Sequence, residues 1–251
     1  MKAPVLSKRM EMVVGMLPEH VHTIADVGCD HAYVSIWISM NNLADNVIAM
    51  DVRTGPLDIA RRNISEYGQN ERIDVRLSDG LSGISPGETD EVIIAGMGGL
   101  LINSILKNGE SILHGDKPPA LILQPQSDID KVRRYLYSAS YHITDEAMVM
   151  EDGKYYTVIH AYPGYEEPYE RSEDWMYGRC NIENRDKVLI DYLNKEASTL
   201  QKILDELNSK SCQRTSRRIA ELENAYYVNR KAYERCGSSN LEGALQKESV
   251  I

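Results

Sequence analysis

The feature that most constrains this chain is an alternation. Short apolar runs suited to buried strands, at Thr23–Gly28, Asn46–Met50, Ile73–Leu77, Glu91–Ala95 and Ala120–Leu123, are interleaved with segments at helical spacing. The helical segments are Val5–Leu17, His31–Asn41, Pro56–Tyr67, Leu100–Leu106 and Asp128–Ser140. Ser7 and Asp128 sit where an N-cap is wanted, and Pro56 and Gly68 bracket the third helix. Five strand–helix units predict an α/β fold with a parallel sheet covered on both faces.

The rhythm then breaks. His142–Met150 and Tyr155–Tyr162 are strand-like, and Asp152–Gly153 between them signals a hairpin. An antiparallel last strand on a Rossmann-like sheet is the habit of class I methyltransferases; plain dinucleotide-binding sheets usually lack it. From about Pro168 the composition shifts to Leu, Ile, Lys, Glu and Arg. Val188, Leu189, Tyr192, Leu193, Leu200, Ile203, Leu204 and Leu207 follow a/d-like spacing, Asn208–Cys212 is a polar break, and Ile219, Leu222, Tyr226 and Asn229 suggest a second helix. The expectation is a catalytic domain over residues 1–167, a C-terminal α-helical coiled-coil hairpin over 168–236, and a disordered tail over 237–251.

Composition closes off several function classes. The 251 residues contain no apolar run of about 18, so no membrane span is expected. Met1–Met10 lacks the apolar core of a signal peptide, so the expected location is cytoplasmic. Cys29, Cys180, Cys212 and Cys236 form no C-x-x-C pair and the histidines no ligand spacing, so neither zinc nor any other metal is expected. No obligatory protein partner is evident. The net charge of −10 argues against nucleic acid as a partner when taken alone. It is uneven, however: residues 171–236 carry 13 Lys and Arg against 11 Asp and Glu. RNA binding would have to use local basic groups such as Lys8–Arg9 and Arg61–Arg62.

Open α/β sheets bind ligands beyond the carboxyl ends of their strands, near the switch point. The residues there are Gly28–Asp30–His31, Asp51, Asp79–Gly80, Ala95–Gly96–Met97–Gly98 and Gln124–Pro125. Asp26–Val27–Gly28 is a tight turn where backbone can approach a ligand. The loop lacks the second and third glycines of G-x-G-x-x-G and adds Asp30, which would repel a pyrophosphate. An acidic loop suits S-adenosylmethionine, which is phosphate-free and carries a sulfonium and an ammonium. Asp30 is equally placed to cap the following helix, and the two roles are compatible. Asp51 can accept from ribose hydroxyls, and Asp79 from an adenine amino group or simply close a turn. The glycine-rich Ala95–Gly99 has no G-K-[ST] and is no phosphate loop. Gln124 is a candidate substrate donor or a polar strand end. His31 is a weak candidate for a base.

Asp26–Tyr33 (D-V-G-C-D-H-A-Y), Ile94–Gly99 (I-A-G-M-G-G), Leu123–Gln124–Pro125, Leu6–Ser7–Lys8–Arg9 and the terminal helical hairpin together resemble the bacterial tRNA (adenine-22-N1)-methyltransferase family. The resemblance covers about residues 4–236; Cys29 stands where small residues are usual. It implies transfer of a methyl group to N1 of adenine 22 in tRNA. It implies a cofactor site of Asp26, Gly28, Asp30, His31, Asp51, Asp79, Gly80 and Gly96, with Arg9, Ala95 and Met97 counted beside them. Asp30 and Gln124 are the catalytic candidates. Lys8, Arg61, Arg62, Arg214, Arg217 and Arg218, with Arg9 a second time, are the expected phosphate contacts. A methyltransferase for another RNA base, a small molecule or a protein stays open at this point, as does a non-catalytic scaffold. An NAD-linked oxidoreductase is disfavoured by the acidic loop.

Overall fold

The computed structural model describes residues 2–209 and 215–237. The chain divides into two compact units, Met1–Pro168 and Tyr169–Ile251.

The first unit carries a seven-stranded sheet: β1 (Val21–Val27), β2 (Ala44–Asp51), β3 (Ile73–Leu77), β4 (Glu91–Met97), β5 (Ala120–Pro125), β6 (Tyr141–Glu151) and β7 (Lys154–Pro163). Its order is β3-β2-β1-β4-β5-β7-β6. The first five strands run parallel, and β7 pairs antiparallel with both β5 and β6. Helices α1 (Lys8–Gly15), α2 (Tyr33–Met40), α3 (Thr54–Glu66), α4 (Gly99–Asn108), α5 (Glu110–Leu113) and α6 (Ile129–Ser138) accompany it. β3 is followed by a short 3-10 turn, Gly80–Gly83, instead of a helix, so the alternation is incomplete there. Every residue of β5 is buried, as expected of a strand covered on both faces. Ile24, Ile93 and Ile122 on adjacent central strands are inaccessible to solvent, each worth about 1.5–3 kcal/mol of burial.

Local chemistry sets the ends of these elements. Ser7 caps α1, accepting from the Met10 N–H, so the helix starts later than its apolar spacing suggests. The hairpin turn is Asp152–Gly153, both at positive φ (50° and 75°), the geometry that a two-residue hairpin loop requires. Asp128 does occupy the N-cap position of α6, but its side chain makes no cap bond; it pairs with Lys131 Nζ at 2.6 Å. A buried ion pair joins α6 to β6: Arg133 Nε donates to Glu146 Oε1 at 2.7 Å, both side chains almost fully inaccessible.

The second unit contains a π-helical turn (Asp174–Gly178), α7 (Arg179–Glu183), α8 (Lys187–Asn208) and α9 (Thr215–Gly237). Asp186 caps α8, accepting from the Val188 and Leu189 N–H groups. Leu189, Leu193, Ala197 and Leu204 form the buried stripe of α8, while Ile203 is solvent-exposed. α8 packs beside α9 around a polar centre: Asn229 donates to Leu193 O (3.1 Å) and Glu196 Oε2 (2.9 Å), and the Tyr177 and Tyr192 hydroxyls donate to the same Glu196. The expected disordered tail lies, Gly237 apart, outside the described residues; Gly237 ends α9.

Candidate active site

A cavity of about 660 Å³ opens where the strand order reverses, between the carboxyl ends of β1 and β4. The loop after β1 is held by two bonds to the neighbouring strand, Gly28 N–H and Cys29 N–H both donating to Met50 O at 2.8 Å. Gly28 has φ +77°, and a Cβ there would collide with Met97 Cε across the cavity floor. A side chain here would strain the backbone and displace the Met97 methyl group.

The half of the cavity beneath β1, β2 and β3 is acidic. Asp26, Asp30, Asp51 and Asp79 all line it. Asp26 is buried and accepts from Ser35 Oγ at 2.6 Å. Burial pushes its carboxyl up to about 6; the Ser35 bonds oppose that shift and the Asp51 charge adds to it. Asp51, also buried, accepts from the Arg53 N–H at 2.9 Å and sits 3.5 Å from Arg53 Nε. Burial and the carboxylates of Asp26, Asp51 and Asp30 push the Cys29 thiol far up, so it is an unreactive lining group. Asp30 has φ +49° and a side chain 62% exposed. It does not cap α2: the N-cap is Ala32, itself left-handed, with no side-chain bond. The extra left-handed residues turn the loop before the helix begins, which frees Asp30 for the cavity. His31 Nε2 lies 3.7 Å from Asp30 Oδ1, and its ring meets Tyr33 edge-on at 6.3 Å. The Asp79 carboxylate faces solvent, and Gly80 follows it at φ +58°.

The half beneath β4 and β5 carries no carboxylate among the described lining residues. It is formed by Ala95, Gly96, Met97, Gln126 and Arg9. Ser7 caps α1 and the Lys8 N–H bonds Glu151 Oε1 at 2.7 Å, so α1 is fixed against the end of β6 with Arg9 reaching the cavity. The Arg9 guanidinium lies 5.1 Å from the Tyr156 ring centroid and donates from Nη1 to Gln124 Oε1 at 3.2 Å. The same Gln124 oxygen accepts the Gly96 N–H at 3.1 Å.

One expectation needs correction. Gln124 is fully buried, its amide spent on Arg9, Gly96 and Pro125 O, and it does not line the cavity. Arg9 is half-buried and lines the cavity wall. The other basic candidates are spread over several elements. Lys8 is on α1; Arg61, paired with Asp58 at 3.1 Å, and Arg62 are exposed on α3; Arg217 and Arg218 both pair with Glu221 on α9. Arg214 lies outside the described residues. The sequence reading missed Ser35, Val52, Leu101 and Gln126. Gln126 had a signal, the second Gln of Gln-Pro-Gln one step past the strand end. The exposed apolar side chains of Val52 and Leu101 at the cavity rim had none.

The sequence and the fold have counterparts among known proteins. A sequence model of the tRNA (adenine(22)-N(1))-methyltransferase family matches residues 24–227. The Bacillus subtilis tRNA (adenine(22)-N(1))-methyltransferase is 41% identical over 159 residues, 63% of this chain and 66% of that enzyme, so the aligned stretch falls just short of two thirds of its length. The crystal structure of the B. subtilis M1A22 tRNA methyltransferase TrmK superposes with a TM-score of 0.81 at 31% identity, covering 91% of this chain and 99% of that one. M. capricolum TrmK, solved with S-adenosylhomocysteine, superposes at 0.80 and 28% identity over 93% and 100%. With the match running through both units, the chain belongs to the tRNA (adenine(22)-N(1))-methyltransferase family.

Proposed function

We propose that this protein transfers a methyl group from S-adenosylmethionine to N1 of adenine 22 in tRNA. The observation that carries the proposal is the division of one cavity into an acidic half beneath β1–β3 and a carboxylate-free half beneath β4–β5. The residues fit the cofactor: the acidic half matches a cationic, phosphate-free ligand, and Gly28 at φ +77° presents bare backbone to it. S-adenosylmethionine, when bound, supplies an electrophilic methyl group on a sulfonium.

The roles of the chain's own residues follow. Asp26 and the Gly28–His31 loop hold the amino-acid end, Asp51 accepts from the ribose hydroxyls, and Asp79 with Gly80 meets the adenine edge. Ala95, Gly96, Met97 and Arg9 wall the place where the target base enters. Neutral adenine N1 already has a lone pair, so no residue needs to act as a strong base. The work is extruding the base, excluding water and aligning it. Methylated adenine is cationic, and the Asp30 carboxylate stabilises that charge. Gln124 is a positioning residue, acting through Arg9 and Gly96. Lys8, Arg61, Arg62, Arg217 and Arg218 meet tRNA phosphates, and the helical unit grips the tRNA body, in the cytoplasm.

The test is transfer of labelled methyl to an unmodified tRNA transcript, with A22 replaced by G as control. Transfer that vanishes in the control supports both reaction and position. Transfer that persists moves the target base, and no transfer despite cofactor binding removes tRNA as substrate.

A further inference from the structure

Gln126 is the one cavity-lining residue that follows β5, and its position is fixed from the backbone. Its N–H donates to Met97 O at 2.8 Å, and Pro125 precedes it. The side chain is exposed to the cavity and makes no hydrogen bond among the described residues. Its Nε2 stands 3.9 Å from the point above Gly96 where a Cβ would lie, beside Arg9 Nη1 at 3.7 Å from the same point.

The chemistry of this half is otherwise one-sided. Arg9 donates only, and Met97, Ala95 and Gly96 offer no side-chain polar group. A carboxamide has both a donor and an acceptor. It is the group that pairs bidentately with the N7 acceptor and N6 amino donor of adenine. Reading that edge leaves N1 free for the methyl group, whereas reading N1 and N6 would block it. Guanine presents two acceptors there, and a pyrimidine lacks the edge altogether.

We infer that Gln126 is the specificity-determining residue for the target base, its side-chain oxygen accepting from N6 and its Nε2 donating to N7 of the extruded adenine. This rests on the proposal that adenine is the substrate.

The test compares tRNA transcripts carrying adenosine or 7-deazaadenosine at position 22, which differ by the N7 acceptor alone. Wild-type kcat/KM should fall about tenfold on the 7-deaza transcript. Gln126→Ala should fall about tenfold to a hundredfold on adenosine, yet distinguish the two transcripts by less than about threefold. Gln126→Glu, which keeps the acceptor and loses the donor, should be equally indifferent to N7. Cofactor affinity should be unchanged in both variants by direct titration. Equal 7-deaza losses in wild type and variant overturn the assignment, as does a variant whose defect lies in cofactor affinity. Absence of wild-type transfer to adenosine would instead overturn the substrate reading, and this assignment with it.

Discussion

Ser35 Oγ on α2 donates to Asp26 Oδ2 on β1 at 2.6 Å, beneath the floor of the cavity. This bond offsets only part of the desolvation of Asp26, whose pKa rises from 3.8 to about 6. The folded protein therefore holds a proton on Asp26 between those values and the unfolded chain does not. Stability from this group falls as pH rises through that window, by about 3 kcal/mol in all. Asp26→Asn keeps an acceptor for Ser35 and removes the charge. In urea titrations it should be more stable than wild type at pH 7, with the gap closing towards pH 4. A pH-independent gap would contradict the assignment. The same variant should bind S-adenosylmethionine more weakly, and wild-type affinity should tighten as pH rises through about 6.

Gln124 should matter without touching a reactant. Gln124→Ala leaves the Gly96 N–H and Arg9 without their acceptor in a buried site, a cost of about 1–3 kcal/mol. Gln124→Glu retains an acceptor for both donors. Thermal melting should show the alanine variant several degrees below the glutamate variant, and kcat/KM for methyl transfer should follow the same order. Equal melting of the two variants would show that the shared oxygen does no holding.

At Gly28 the backbone and the space above it make separate demands. Gly28→Ala places a Cβ at φ +77° and against Met97 Cε. The backbone part costs roughly 1–3 kcal/mol. Adding Met97→Ala should recover the clash but not the dihedral strain, so the double variant should melt between Gly28→Ala and wild type. Calorimetric titration should show weakened cofactor binding in both. Full recovery of stability in the double variant would mean that the dihedral is not strained.

The Arg133–Glu146 pair lies far from solvent. Glu146→Ala takes the carboxylate away from a buried guanidinium and should destabilise by about 3–5 kcal/mol in urea. Replacing both, Arg133→Met with Glu146→Leu, should restore most of that loss. A double variant as unstable as the single one would show that the charge itself is required.

Arg62 is exposed on α3 with no ion-pair partner among the described residues, and Lys8 is exposed on α1. If both meet phosphate, each neutralisation should lower the slope of log K against log salt for tRNA binding by about one. An unchanged slope removes them from the interface.

Much of this was legible in the chain itself. The periods of 2 and 3.6 are local, so the five parallel strands, the antiparallel hairpin and the two long C-terminal helices could be read from residue spacing alone. The Asp152–Gly153 turn was readable because positive φ restricts residue choice. So was the strand-end set Gly28, Asp51, Asp79 and Gly96, because an open parallel sheet gathers its strand ends on one rim. What periodicity does not carry is which way a side chain points once the strand has ended. Gln124 and Gln126 are chemically identical and two positions apart, yet one is sealed behind β4 and the other faces the cavity. Only the pairing of β5 with β4, with its register shift between Ala95 and Met97, separates them. Arg9 meets Gln124 across 115 residues of chain, a contact made when α1 is fixed against the β6–β7 hairpin. The sequence by itself determined the strands of the sheet and the acidic character of one rim, because these follow from short-range patterns. The tertiary structure decided which polar groups are spent on one another and which remain free for a ligand, because that depends on long-range packing.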